Sequence, residues 1–140
     1  MKKILSTIFI ITIIIGTLAA QEEKDQIRER IQAKRIAFIT DKLALTSKEA
    51  QAFWPLYNAF KKKEKSIRKE TGKMGRIQEL TDVEVEALIE KHLDKEERLL
   101  AAKRSFFKEA KQVLPIKKLA KLPRVERKFK ELILKQARNY

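Results

Sequence analysis

Apolar residues recur at helical spacing over four successive stretches of the chain, and no stretch shows the sustained alternation of a β-strand. The first stretch predicts a helix from Asp25 to Ala44 with two apolar stripes, more than a quarter-turn apart. A helix with two such stripes usually contacts two neighbours. We therefore expect one stripe to pack within the chain and the other against a second subunit. The stripes contain Ile27, Ile31, Phe38 and Leu45 in one case, and Ile36, Ile39 and Leu43 in the other.

The second helix is predicted to begin at the segment LALTSKEAQAFWPLYNAF, residues 43–60. Leu45 and Thr46 precede Glu49 at the spacing of a capping box, in which the Thr hydroxyl and the Glu carboxylate each bond the other residue's amide. Pro55 removes one helical hydrogen bond, so a kink or an opened turn is expected there. Gly72 and Gly75 then end the helix within residues 71–76.

A third helix, the longest, is predicted to start with a second capping box at Thr81 and Glu84 and to reach about Gln112. Its apolar residues come in neighbouring pairs every seven positions, which is typical of a helix packed along its whole length. The pairs are His92-Leu93, Leu99-Leu100, Phe106-Phe107 and Val113-Leu114. A fourth helix follows, with an interruption or restart expected at Pro123.

The sequence therefore predicts an all-α protein of four helices in one domain, residues 21–140. Glycine and proline number only 3 each, and Ala, Leu, Glu, Lys and Arg favour helix throughout. At a rise of about 1.5 Å per residue, the third helix exceeds the diameter of a compact domain of this size. An elongated, curved subunit is expected.

The N-terminus has the layout of a secretory signal peptide, residues 1–20. Lys2 and Lys3 precede an apolar run from Ile4 to about Ile15, and small residues at Ala19 and Ala20 suit cleavage. A retained membrane anchor is the alternative, but the run is shorter than the ~20 residues that a bilayer span needs. The expected address is the periplasm, if the cell is a Gram-negative bacterium.

Charge narrows the class of partner. Without the predicted signal peptide, the chain keeps 31 of its 33 basic residues against 19 acidic ones, a net charge of +12. Export argues against nucleic acid. The remaining anionic partners are lipid head groups, lipopolysaccharide, cell-wall polymers and acidic unfolded proteins, and a merely solvated Lys-rich surface is the alternative. The chain has no Cys, so its fold depends on packing alone.

No catalytic or metal-binding constellation can be assembled from the sequence. The single His92 has no Cys or second His beside it and falls on an apolar register, so a packed or half-buried imidazole is expected. We therefore predict no enzyme activity, no metal and no cofactor.

The aromatic residues of the second helix have two interpretations. Phe53, Tyr57 and Phe60 are expected to fill the core. Trp54 lies at the edge of their stripe, next to Pro55, and is the best candidate for a working surface. We assign it a role in contacting a client, that is, a protein that this chain would bind. The basic residues Lys61, Lys62 and Lys63 are assigned the same role.

At LALTSKEAQAFWPLYNAF the chain resembles the Spy/CpxP family of periplasmic helical proteins, whose signature is an L-T-x-x-Q motif at a helix start. Leu45 and Thr46 match it, and Glu49 stands at the Gln position. A second copy would fall at 114–118, where Pro115 and Lys118 replace Thr and Gln. The Phe-Trp-Pro segment and VLPIKKLAKL also resemble a branch labelled as sensors linked to extracytoplasmic-function sigma factors.

The resemblance implies a cradle-like subunit in an antiparallel dimer that binds unfolded clients without ATP or senses envelope stress. Some relatives bind metals through His-rich segments, which this chain lacks. The favoured hypothesis is a periplasmic holdase for unfolded or acidic clients. The alternative is a regulatory protein that docks one membrane protein. A trimeric holdase of the Skp type is more distant, because it would need strands.

Overall fold

The computed structural model describes residues 22–23, 25–70 and 77–138, and their regular structure is entirely helical. Helix α1 covers 25–42, with 22 and 23 also helical. Helices α2, α3 and α4 are Ser47–Glu70, Asp82–Ala110 and Ile116–Arg138, and a short 3-10 turn, Ile77–Glu79, precedes α3. The predicted all-α, four-helix class with a longest third helix is confirmed. The predicted signal peptide and residues 71–76 lie outside the described residues.

Two compact units make up the chain. One contains α1 together with α4 from Val125 onwards, and the other spans Leu43–Arg124. In the first unit α1 lies beside the end of α4, where the rings of Phe38 and Phe129 are 5.7 Å apart and the Arg35 guanidinium lies 5.4 Å from the Phe129 ring. The cradle shape, the single-domain assignment and the dimer stay predictions.

The second unit has an aromatic core between α2 and α3. Phe53 and Tyr57 are buried, as predicted, and Phe106 of α3 lies against both, with ring centroids 6.2 Å and 6.1 Å away. Phe60 is half-buried and stacks on Phe106 at 4.7 Å. The other buried residues of this unit are Leu43, Ile67, Ala102, Ala110, Leu114, Leu119 and Leu122. The aromatic group of α2 therefore serves mainly as core.

The two predicted capping boxes are present. The Glu49 amide donates to Thr46 Oγ1 (3.2 Å), and the Thr46 amide donates to Glu49 Oε2 (2.8 Å). Thr81 and Glu84 exchange the same pair of bonds, at 3.4 Å and 2.8 Å. Each box satisfies amide groups that the first turn of a helix leaves without a partner, so α2 and α3 begin where the sequence predicts.

Pro123 does not interrupt the fourth helix, contrary to the prediction. α4 continues through Pro123, and α2 likewise continues through Pro55. Both prolines are exposed, so their rings face solvent. Leu119 and Leu122 beside Pro123 are buried, and burial of such side chains offsets the one hydrogen bond that a proline removes.

His92 is exposed, which corrects the expectation of a packed imidazole. Its Nδ1 lies 3.1 Å from Lys95 Nζ on the same helix. The described part of α2 ends at Glu70, whose carboxylate pairs with Arg98 at 2.6 Å. His92 lies six positions before Arg98, about 9 Å along α3, so no described residue of α2 is level with it.

Candidate functional site

One side of the α2–α3 pair contains two neighbouring hollows. The first has a volume of about 170 Å³, and the second has about 390 Å³. Lys63 lines both. The other residues lining the first are Leu56, Ala59, Phe60, Ala102, Ser105, Phe106 and Glu109; those lining the second are Ser66, Ile67, Glu70, Arg98 and Ala101.

Small side chains make this side of the pair concave. Ala59, Ala102 and Ser105 line the first hollow, and Ser66 and Ala101 line the second. The first hollow is also lined by Phe60 and Phe106, whose rings stack with an interplanar angle of 15°. Large residues at the helix contact and small residues beside it leave a groove that the described residues do not fill.

The charged groups around the groove differ in whether they have a bonding partner among the described residues. Glu109 accepts a hydrogen bond from Ser105 Oγ at 2.9 Å, and Glu70 is paired with Arg98. Lys63 is exposed and has no hydrogen bond or ion pair with any residue in the described part of the chain. Lys63 is thus a groove cation with no neutralising partner among the described residues, and it lies at the junction of the two hollows.

The structure separates the residues that the sequence grouped as client contacts. Trp54 is half-buried, with its ring 5.2 Å from Phe53 and 5.4 Å from Tyr57, and it lines neither hollow. Lys61 is paired with Glu64 and lies over the Phe60 ring at 5.5 Å. Lys62 is exposed and lines neither hollow. Consecutive helical residues point about 100° apart, so the three lysines cannot share one face.

Lys61 is held by a local carboxylate. Burial alone would raise the pKa of Glu64, but hydrogen bonds from Lys61 and Arg68 outweigh it, and the pKa of Glu64 is lowered. Arg68 Nη2 lies 3.0 Å from Glu64 Oε1. Lys61 therefore belongs to an ion-pair network on α2, which leaves Lys63 as the lysine that faces the groove.

The motif-like segments at Leu45–Glu49 and 114–118 meet in the structure. Leu45 is half-buried, and Glu49 accepts a hydrogen bond from Lys118 Nζ of α4 at 2.7 Å. Lys118 also donates to the carbonyl of Ala44 at 2.6 Å. The hydrogen bond from Lys118 is the main reason that the pKa of Glu49 is lowered, and the Thr46 amide adds to it. Lys118 thus joins the first turn of α4 to the start of α2.

Within 22–23, 25–70 and 77–138, no group of three or more His, Cys, Asp or Glu could hold a metal ion. No helix in these ranges combines the length and apolar character that a membrane crossing requires. Comparisons of the chain with protein-family models, curated proteins and solved structures found no match.

Sequence reasoning missed most of the groove. Leu56, Ser105 and Arg98 gave no signal, because a hollow depends on which residues two helices bring face to face. The nearest signal was the run of small residues on α3, Ala101 and Ala102 followed by Ser105, on a helix otherwise rich in long side chains.

Proposed function

We propose that this protein is a holdase: it binds unfolded or acidic client proteins without nucleotide and keeps them from aggregating. The carrying observation is the groove of the α2–α3 pair, which offers a mainly apolar hollow and a more polar one on either side of Lys63, a lysine with no ion pair among the described residues. Shallow apolar hollows accept many side chains, and a basic surface attracts acidic chains over a distance. Such a site captures clients without demanding one sequence.

We also propose the periplasm as the place of action and membership of the Spy/CpxP family. The layout of residues 1–20 supports export. The reciprocal cap of Thr46 and Glu49 supports the family, because it places the motif-like residues where a helix-start motif would act. The Lys118 contact supports it further, since the degraded second copy lies against the first.

A homodimer completes the proposal, with its seam on α3. Ile89, Leu93 and Leu100 follow one stripe of that helix, and each is more than half exposed, at 53%, 55% and 51%. The first half of α3 is mainly acidic and its second half mainly basic. An antiparallel second copy would place opposite charges side by side along this stripe.

The test is suppression of aggregation by residues 21–140. Several unrelated clients are denatured chemically and diluted into buffer with and without the protein, and light scattering is recorded. A holdase suppresses scattering for most clients at near-equimolar ratio, with no effect of added ATP. A protein that docks one membrane protein ignores most of them, so suppression of none would refute the proposal in favour of the regulatory alternative.

A further inference from the structure

The two hollows of the α2–α3 groove have a regular spacing. Phe60 lines the first and Ile67 lines the second. They are seven residues apart on α2, which is two helical turns or about 10 Å. Both volumes, about 170 and 390 Å³, far exceed the ~10–15 Å³ that one water needs, so each hollow has room for a side chain.

Charge distinguishes the kinds of segment that could lie there. The carboxylates of Glu70 and Glu109 are already bonded to Arg98 and Ser105. Lys63, between the hollows, is the groove's cation without a partner among the described residues. A carboxylate placed opposite Lys63 would gain a charge-assisted hydrogen bond, whereas a lysine there would meet like charge.

We propose that this groove binds an acidic amphipathic segment of a client protein. Two apolar side chains of the segment occupy the hollows, and a carboxylate between them bonds Lys63. In a helical segment these are positions i and i+7, with Asp or Glu at i+3 or i+4, because seven residues span the distance between the hollows. The proposal adds a binding site to the proposed function. It rests on that function in one respect, namely that the bound segment belongs to an unfolded client.

The binding assay uses designed probes and residues 21–140. The acidic probe is a fluorescein-labelled helical peptide with Leu at i and i+7 and Glu at i+3 and i+4. Its matched partner has Lys in place of both Glu. Fluorescence anisotropy at low salt should show tighter binding of the acidic probe, and the difference should narrow as salt is added. Equal affinity for both probes, or no binding of either at millimolar concentration, overturns the proposal.

Variants locate the site. Lys63→Glu should weaken the acidic probe roughly tenfold, which corresponds to about 1.4 kcal/mol, and should strengthen the basic probe. Lys62→Glu is the matched control, since Lys62 is its exposed neighbour and lines neither hollow. Ser105→Phe, which fills the first hollow, should weaken both probes. Circular dichroism confirms that each variant is folded. An equal loss in Lys62→Glu would overturn the assignment to this groove.

A second copy of the chain is the other occupant that the test must identify. Leu93 and Leu100 are exposed, seven residues apart, with Glu96 and Glu97 between them, so α3 itself carries the pattern. If Lys63→Glu converts a dimer to a monomer in light scattering, the groove holds a second copy and the client proposal is wrong. If neither probe binds but clients are still protected from aggregation, the proposed function is retained and the client binds at another surface of the protein.

Discussion

Lys118 of α4 and Glu49 of α2 form an ion pair at 2.7 Å although 69 positions separate them in the sequence. Both side chains are shielded, with relative exposures of 23% and 17%. The same ammonium group bonds the carbonyl of Ala44, and the same carboxylate caps α2. One pair of charges thus fixes the turn before α2, the start of α2 and the first turn of α4.

This ion pair should make stability depend on pH in the acid range. The pKa of Glu49 is lowered in the folded protein, so its contribution is present above the ordinary value of 4.5 and is lost as pH falls through the lowered pKa. Lys118→Gln should flatten the pH dependence of the melting temperature below that value. If the melting temperature of this variant still falls with pH as in the wild type, Lys118 does not stabilise the ionised Glu49.

The two caps should be structural and of similar strength. Thr46→Ala and Thr81→Ala each remove the oxygen that accepts the amide of the third helical residue. Each should lower the free energy of unfolding by about 1 kcal/mol and leave client holding unchanged in the folded protein. Urea denaturation measures the cost. Ser47→Ala, one residue into α2, is the control and should have less effect; an equal loss would mean that the cap itself contributes little.

Ala44 should tolerate glycine with a gain in stability. Its φ is 48°, in the left-handed region that costs a residue with a Cβ roughly 1–2 kcal/mol. Ala44→Gly removes that cost, and the greater freedom of glycine in the unfolded chain offsets part of it. A net gain below about 1 kcal/mol is expected by thermal melting. A loss of stability would indicate that the Ala44 methyl group packs usefully.

Trp54 and Phe53 should differ sharply when truncated. Phe53 is fully buried among Trp54, Tyr57 and Phe106, so Phe53→Ala should cost 3–5 kcal/mol. Trp54 is half-buried and lines neither hollow, so Trp54→Ala should cost less. Its assignment to client contact from the sequence predicts in addition that Trp54→Ala weakens client holding. Thermal melts and light scattering of a denatured client compare the two. If Trp54→Ala unfolds the protein as severely and residual holding is intact, Trp54 is core only.

The proposed dimer should depend on α3. The sequence left open which stripe of the first helix meets a second subunit; in the stripe of Ile36 and Ile39, Ile39 is fully buried within the chain and Ile36 is 37% exposed. Ile39→Glu would therefore bury a charge in the subunit's own core and says nothing about association. Exposed Leu93 and Leu100 give the cleaner test. Together, Leu93→Glu and Leu100→Glu should change stability by only about 0.5 kcal/mol per site.

Light scattering measures the mass of this double variant and of the wild type at micromolar concentration. The wild type should have twice the chain mass and the double variant the chain mass. Val83→Glu is the control, because Val83 is 75% exposed at the start of the same helix and off the stripe. A wild-type monomer would end the dimer proposal.

Local interactions explain what the sequence determined. The capping boxes at Thr46 and Thr81 join residues three positions apart, and apolar spacing identified four helices and the buried pair Phe53 and Tyr57. These features need only the period of the helix and the reach of one side chain. The same reasoning overestimated the effect of Pro123 on α4. Burial of flanking residues such as Leu122 outweighs one missing hydrogen bond, so the helix continues.

Only the tertiary structure decided which residues face each other. The described part of α2 reaches only the level of Arg98, and His92, which lies beyond that level on α3, is exposed although it continues the apolar register. The groove needs α2 and α3 in their observed register, since its hollows lie between residues about 40 positions apart in sequence, such as Lys63 and Ser105. The pairing of Glu49 with Lys118 is of the same kind. A sequence fixes the period of each helix, but the level at which two helices pack is set by side chains that are distant in the chain.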